Sequence, residues 1–396
     1  MNIIRSLLPK VIQIIPWTKL SPEESVLLEL CSNAMTANKT YTKVQKNAGI
    51  VNWQRLLSLI RQNRLQVLCK DSFNSQVLQS VAPKTFLQQI ISDQIAIQLI
   101  STEKKRGVTK AIKLFTEADV RFVVMKTLPY ENALFRSPIK IFGDLDILLP
   151  ISEFYRATQI LLHEGYKLYI NHQDVDLFSS PTEPTYIPKG EEIFKKGTLT
   201  VELHTTLVDT LSFSSQRLSE QSNRNITNEL FARRRTLIYG GTRCYAFTPT
   251  ALCINLFLHC FYQNNYQSVV RYIETAKVLR VFSHTIDWNY IWSFVHKYQF
   301  TDNFVWFLLL LEEIIPQSLP QNEQETLQHA KLLWSPLQRV VYLVMKRLLF
   351  HPQDFRYTQF QKKLTWVIIN KQFFSSIVHG MSLPLRWLLM KRNPIF

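Results

Sequence analysis

Glycine is scarce in this chain, with nine residues in 396. No G-x-x-x-x-G-K-[ST] and no G-x-G-x-x-G pattern occurs, which excludes the two common loops that cradle phosphates with backbone N–H groups. Any nucleotide must be held by other means. Cysteine is sparse too. Cys31, Cys69, Cys244, Cys253 and Cys260 are odd in number, widely spaced and without a C-x-x-C pair. They read as free thiols of a reducing, cytoplasmic compartment. Cys253 and Cys260 sit in an apolar helical pattern beside His259, where core packing explains them better than zinc. No G-x-S-x-G elbow and no H-E-x-x-H helix is present, so serine-hydrolase and zinc-protease readings have no support. No uncharged apolar run reaches about eighteen residues, so no transmembrane segment is expected.

What is present fits a folded protein. Hydrophobic residues make up 46% and aromatics 12%, enough to bury a sizeable core. The formal charge of +16 suits an anionic partner: a nucleotide, a nucleic acid or an acidic membrane surface. Its basic residues are dispersed, with short clusters at Lys104-Lys105-Arg106 and Arg233-Arg234-Arg235 that read as solvated faces. The first fifteen residues and the stretch Leu383 to Arg392 are amphipathic. Packing against the body is expected of both, with peripheral membrane contact as the alternative.

Helical spacing runs from Ser21 to about Ala118, and the period changes at Asp119 to Lys126, where Val120, Phe122, Val123 and Val124 read as a strand. A helix over Leu128 to Phe135 follows. Ser152 to Glu164 reads as a helix capped by Ser152 and closed by Gly165. Tyr166 to Ile170 and Gly197 to His204 read as strands, with a Pro-, Ser- and Thr-rich loop at 179–188 between them. Beyond Thr210 the spacing returns to helix. This gives an N-terminal helical region over 1–115, an α/β core over 116–210 and a C-terminal helical region over 211–396. Val51-Asn-Trp and Ile286-Asp-Trp share one layout, an Asn or Asp cap before a Trp-led helix.

The chemistry centres on Ile141-Phe-Gly-Asp-Leu-Asp-Ile-Leu-Leu149. Alternate side chains of a strand share a face, so Asp144 and Asp146 point the same way. Two carboxylates on a half-buried strand repel each other, and a divalent cation between them removes that cost. Within 141–149 no Lys or Arg stands ready to neutralise them. Phosphoryl or nucleotidyl transfer by two metals needs about three such acids on adjacent strands. Glu202, central in Val201-Glu-Leu-His204, is the third. Hard oxygen ligands imply Mg²⁺ or Mn²⁺. Lys126, at the end of its strand, and Arg136, after the next helix, are candidate phosphate clamps. Gly143 beside the acids and His204 beside Glu202 complete the nucleotide-binding candidates. Asp174-Val-Asp176 is a second Asp-x-Asp, but its polar flanks read as loop.

Taken in order, Val123-Val-Met-Lys126, Tyr130 and Arg136, Gly143-Asp-Leu-Asp-Ile-Leu-Leu149, Leu161-Leu-His-Glu-Gly-Tyr166 and Val201-Glu-Leu-His204 resemble the uncharacterised nucleotidyltransferase family of the polymerase-beta-like superfamily. The resemblance covers most of residues 50 to 300. It implies an α+β fold, a small mixed-sheet core with helical regions on both sides. It implies a Mg²⁺ site at Asp144, Asp146 and Glu202, and transfer of a nucleoside monophosphate from a triphosphate, ATP included, to a hydroxyl-bearing acceptor. Thr127 stands where a glycine usually follows the lysine. A catalytically inactive binding or scaffold protein and an RNA-directed nucleotidyltransferase are the alternatives. Arg271-Tyr-Ile-Glu274 matches a position where the family tends to have an arginine followed by an acid; the two could reach the cleft or pair with each other.

Overall fold

The structure is a computed structural model, and it describes residues 20–33, 40–68, 70–134, 144–170, 173–175, 191–207, 219–263, 269–332, 334 and 342. Outside these lie Arg136, Gly143, Cys69, Asp176, the 179–188 loop and both amphipathic terminal segments. Among the described residues no helix is long and apolar enough to cross a membrane.

An eight-stranded mixed sheet forms the centre. Its strands are β1 (Val123–Val124), β2 (Asp144–Leu148), β3 (Lys167–Ile170), β4 (Gln173–Val175), β5 (Glu191–Lys196), β6 (Leu199–His204), β7 (Arg234–Tyr239) and β8 (Thr242–Phe247). In space they run β4-β3-β5-β6-β2-β1-β8-β7. The β2–β6 and β1–β8 pairs are parallel and the other neighbours antiparallel. Helices pack on both sides, so the fold is α+β.

Strand alternation sorts the central side chains into two cores. Val124, Leu145, Ile147, Val201 and Leu203 bury into one, with Val108, Ile112 and Phe115 of the helix Lys84–Glu117 and Phe154 and Leu161 of the helix Ile151–His163. Val123 and Leu148 bury into the other, which collects apolar residues from both flanks of the chain. There the helix Pro22–Asn33 touches the helix Thr301–Ile314, so N- and C-terminal helices share one core. Asp144 and Asp146 fall on the face of Leu148, toward this second core.

Two caps follow the shared layout. Asn52 accepts the Arg55 N–H at 3.0 Å and Asp287 accepts the Tyr290 N–H at 2.9 Å, each opening a helix, Trp53–Gln62 and Trp288–Lys297. Each satisfies one of the orphan donors of a first turn.

Five local expectations are corrected. The strand expected over 119–126 shrinks to Val123–Val124, because Asp119 (φ +50) and Lys126 (φ +58) take left-handed turns at both ends. The helix after β1 is a 3₁₀ turn, Leu128–Tyr130, running into Glu131–Leu134. Pro150, not Ser152, is the cap residue of Ile151–His163, while Gly165 (φ +81) closes it. Finally, the region after Thr210 is not helical throughout. It contains the β7–β8 hairpin, turned by Gly240 (φ +55) and Gly241 (φ +81), the left-handed pair of a two-residue hairpin. The polar stretch around Asp174 also pairs, as edge strand β4 against β3.

Candidate active site

The site is built by register. Parallel pairing of β2 with β6 sets Asp146 opposite Glu202, Asp144 opposite Thr200 and Leu148 opposite His204. Leu145, Ile147, Val201 and Leu203 anchor the opposite face in the core, so a one-residue slip would bury the acids there and is disfavoured. Asp146 is buried at 5% exposure and His204 at 3%. Asp144, at the open end of β2, is exposed.

Ligand atoms of Asp146, Glu202 and His204 lie within 4.8 Å of one another. The His204 Nε2 is 3.5 Å from Asp146 Oδ1 and 3.7 Å from Glu202 Oε2, and it has no hydrogen-bond partner among the described residues. Its Nδ1 faces Glu191 Oε2 at 3.8 Å, because β5 sets Glu191 opposite His204. A buried orphan nitrogen facing two carboxylates is a donor set that fits a cation. Asp144 is not part of this cluster, though its charge reaches Glu202.

Lys126 supplies the positive charge seen at the acids. Its Nζ lies 2.5 Å from Asp146 Oδ1. The backbone that aims it is unusual: Lys126 holds φ +58, a conformation non-glycine residues seldom adopt. The Lys126 N–H donates to Asn255 Oδ1 at 3.3 Å, from the helix Pro249–Leu258. Next door, the Thr127 hydroxyl donates to Glu274 Oε1 at 2.9 Å, and Glu274 Oε2 accepts from Arg271 at 2.6 Å. Arg271 and Glu274 therefore pair with each other and also tie the helix Val269–Val281 to the lysine turn. Thr127 itself sits at φ −90, open to any residue, so the left-handed position is the lysine and not the residue after it.

The charges interact strongly. Burial pushes the Asp146 carboxyl up, but the Lys126 ammonium and the His204 imidazole outweigh it and hold the group well below the usual carboxylate range. Burial pushes Glu202 up to about 7 against the pull of His204, with the charges of Asp146 and Asp144 adding to the rise. For His204 burial alone would lower the pKa; Asp146, Glu202 and Glu191 outweigh it and lift it to about 9.

Residues 50–316 match the family described as uncharacterised nucleotidyltransferase. The chain belongs to that family. Comparison with curated proteins and with solved structures gives no match. Membership makes the chain a nucleotidyltransferase enzyme, and the matched span holds every described site residue.

Sequence reasoning reached Asp144, Asp146, Glu202, His204 and Lys126, and four of these five meet: Asp146, Glu202 and His204 with Lys126. It missed Asn255 and Glu191. A buried polar residue in the apolar run Ala251 to Leu258 was the available signal for Asn255. Nor is the Arg233-Arg234-Arg235 cluster a solvated face. Its guanidinium groups stack on Tyr290 at 3.4 Å, Phe231 at 4.5 Å and Tyr130 at 4.8 Å, and Arg235 donates to the Tyr130 hydroxyl at 2.8 Å. Lys105 likewise pairs with Glu131 at 3.0 Å.

Proposed function

We propose that the enzyme transfers a nucleoside monophosphate from a nucleoside triphosphate to a hydroxyl-bearing acceptor in a Mg²⁺-dependent reaction. Asp144, Asp146 and Glu202 would supply the metal-binding carboxylates and Lys126 a phosphate contact. The observation that carries this reading is the in-register pair Asp146 and Glu202 on parallel neighbours, with the Lys126 ammonium on the same carboxylate. A divalent cation held by these oxygens supplies charge neutralisation at the transferred phosphoryl group and acidifies the attacking hydroxyl.

The remaining work falls to the chain. Asn255 on the Lys126 N–H and Glu274 on the Thr127 hydroxyl hold the lysine turn, and Asp146 holds the ammonium, so that charge is already placed when a triphosphate arrives, which lowers the ordering cost of binding. A phosphate oxygen entering beside Asp146 offers that ammonium a second anion. Exposed Asp144 marks the solvent side, where the triphosphate has access. On this reading Gly143 and Arg136 add nucleotide contacts from the segment before β2.

The test is label transfer from each of four α-labelled triphosphates in Mg²⁺, offered small-molecule, RNA and protein acceptors. At least one should react, and Asp144→Asn or Asp146→Asn should abolish the transfer. Failure to detect metal-dependent triphosphate binding by calorimetry would overturn the reading.

A further inference from the structure

We infer that His204 is a direct metal ligand, and that Asp146, Glu202 and His204 form a buried site preferring a first-row transition dication of the Mn²⁺ type over Mg²⁺. The inference rests on the proposed function only for the presence of a cation. It changes which side chains hold one and which cation is held.

Three observations carry it. The first is the orphan nitrogen: His204 is buried, and its Nε2 faces two carboxylates without a hydrogen bond to either. An imidazole engaged only with carboxylates would close to a charge-assisted bond of about 2.8 Å. Here the separations are 3.5 and 3.7 Å, the spread of donors set around a common centre. Ligands bonded to one cation at about 2.1 Å stand about 3 Å apart at right angles and about 4.2 Å apart when opposite, so each imidazole–carboxylate separation closes by a few tenths of an ångström on each side, and the three ligand atoms, within 4.8 Å of one another, draw in around the ion.

The second is the other ring nitrogen. Nδ1 faces the Glu191 carboxylate at 3.8 Å, beyond hydrogen-bond length, so Glu191 acts on the ring through its charge, from the side on which carboxylates orient metal-bound histidines. The strand register imposes it, since Glu191 and His204 are partners across β5 and β6.

The third is the composition of the group. Mg²⁺ favours all-oxygen surroundings and keeps its waters, whereas imidazole suits first-row transition ions. Replacing one acid of a three-carboxylate set by His204, with Asp144 outside the cluster, shifts selectivity that way.

Mn²⁺ alone is the probe, because its electron spin reports directly bound nitrogen. The full-length wild type loaded with Mn²⁺ should show imidazole ¹⁴N coupling in pulsed electron paramagnetic resonance, and His204→Gln should lose it. In calorimetric competition the wild-type preference for Mn²⁺ over Mg²⁺ should fall roughly tenfold or more in His204→Gln. His204→Asp, which restores an all-oxygen set, should move the preference further toward Mg²⁺. Bound Mn²⁺ without nitrogen coupling in the wild type overturns the inference whether or not the variants fold. If Mg²⁺-dependent label transfer persists in that case, the proposed function stands without it; if the wild type binds neither cation, both fall.

Discussion

Asp146 and Glu202 are register partners across β2 and β6, yet their carboxyls are driven in opposite directions. Lys126 and His204 overcome burial to hold Asp146 ionised, while burial and its neighbours' charges push Glu202 up to about 7. One acid is the counter-ion of the cluster and the other holds a proton near neutrality. Two like charges so close settle in this way when no added cation is present.

That asymmetry separates stability from activity. Gln is the neutral isostere of a protonated Glu, so Glu202→Gln should leave the metal-free fold unchanged or more stable by about 1 kcal/mol at pH 8, where the wild-type carboxylate is forced to ionise. The same variant should lose label transfer by roughly a thousandfold. Asp146→Asn should instead strip the partner from Lys126 and His204 and destabilise by about 3 kcal/mol. Thermal unfolding in chelator, beside the transfer assay, checks both; a strongly destabilised Glu202→Gln would contradict the assignment.

The lysine turn makes a second claim. Asn255→Ala frees the Lys126 N–H inside the protein, and Thr127→Gly removes a donor from the fully buried Glu274. Each should cost about 1–3 kcal/mol in denaturant unfolding. Thr127→Gly is the informative one. Glycine at 127 should lower stability and raise KM for the triphosphate, because the threonine hydroxyl ties the turn to the helix behind it. Improved binding in Thr127→Gly would show that the turn needs a glycine there.

Local patterning was legible in the sequence and partnership was not. Asp144, Asp146, Glu202 and His204 could be placed on strand faces because a period of two fixes direction wherever alternate positions are apolar. The helix end at Gly165 was readable for a similarly local reason. By contrast, Asn255 meets Lys126 across 129 positions and Glu274 meets Thr127 across 147, and no local pattern encodes such a pairing. The β7–β8 hairpin was missed although Gly240-Gly241 between β-forming runs is a hairpin signal; helical spacing on both sides overrode it. The arginine cluster misled because its aromatic partners, Tyr130 and Tyr290, are remote in sequence.

The paired caps are a local reading that carries its own test. Asn52→Ala and Asp287→Ala each remove one side-chain acceptor from a first helical turn, and each should lower stability by about 1 kcal/mol. The replacements Asn52→Asp and Asp287→Asn keep an acceptor and should stay within about 0.5 kcal/mol of the wild type. Equal losses for both kinds of substitution would mean that the caps contribute through packing and not through the hydrogen bond.

The pH dependence of the metal-free fold follows from His204 and Glu202 together. The His204 pKa is raised from 6.5 to about 9, so its contribution is fully present below 6.5 and is lost as pH rises through 9; the shift is worth up to about 3 kcal/mol. Glu202, raised from 4.5 to about 7, acts in the same direction in the window below. Asp146 acts oppositely, losing its contribution only in acid beneath its ordinary 3.8. The unfolding temperature in chelator should therefore decline from about pH 5 to pH 9, and His204→Gln should flatten the upper part of the decline. Saturating divalent cation should reverse the slope, since the deprotonated ligands are the ones it binds. A metal-free unfolding temperature that rises between pH 6.5 and 9 would mean that the imidazole is neutral in the fold, and that the acids around His204 do not hold it as a cation.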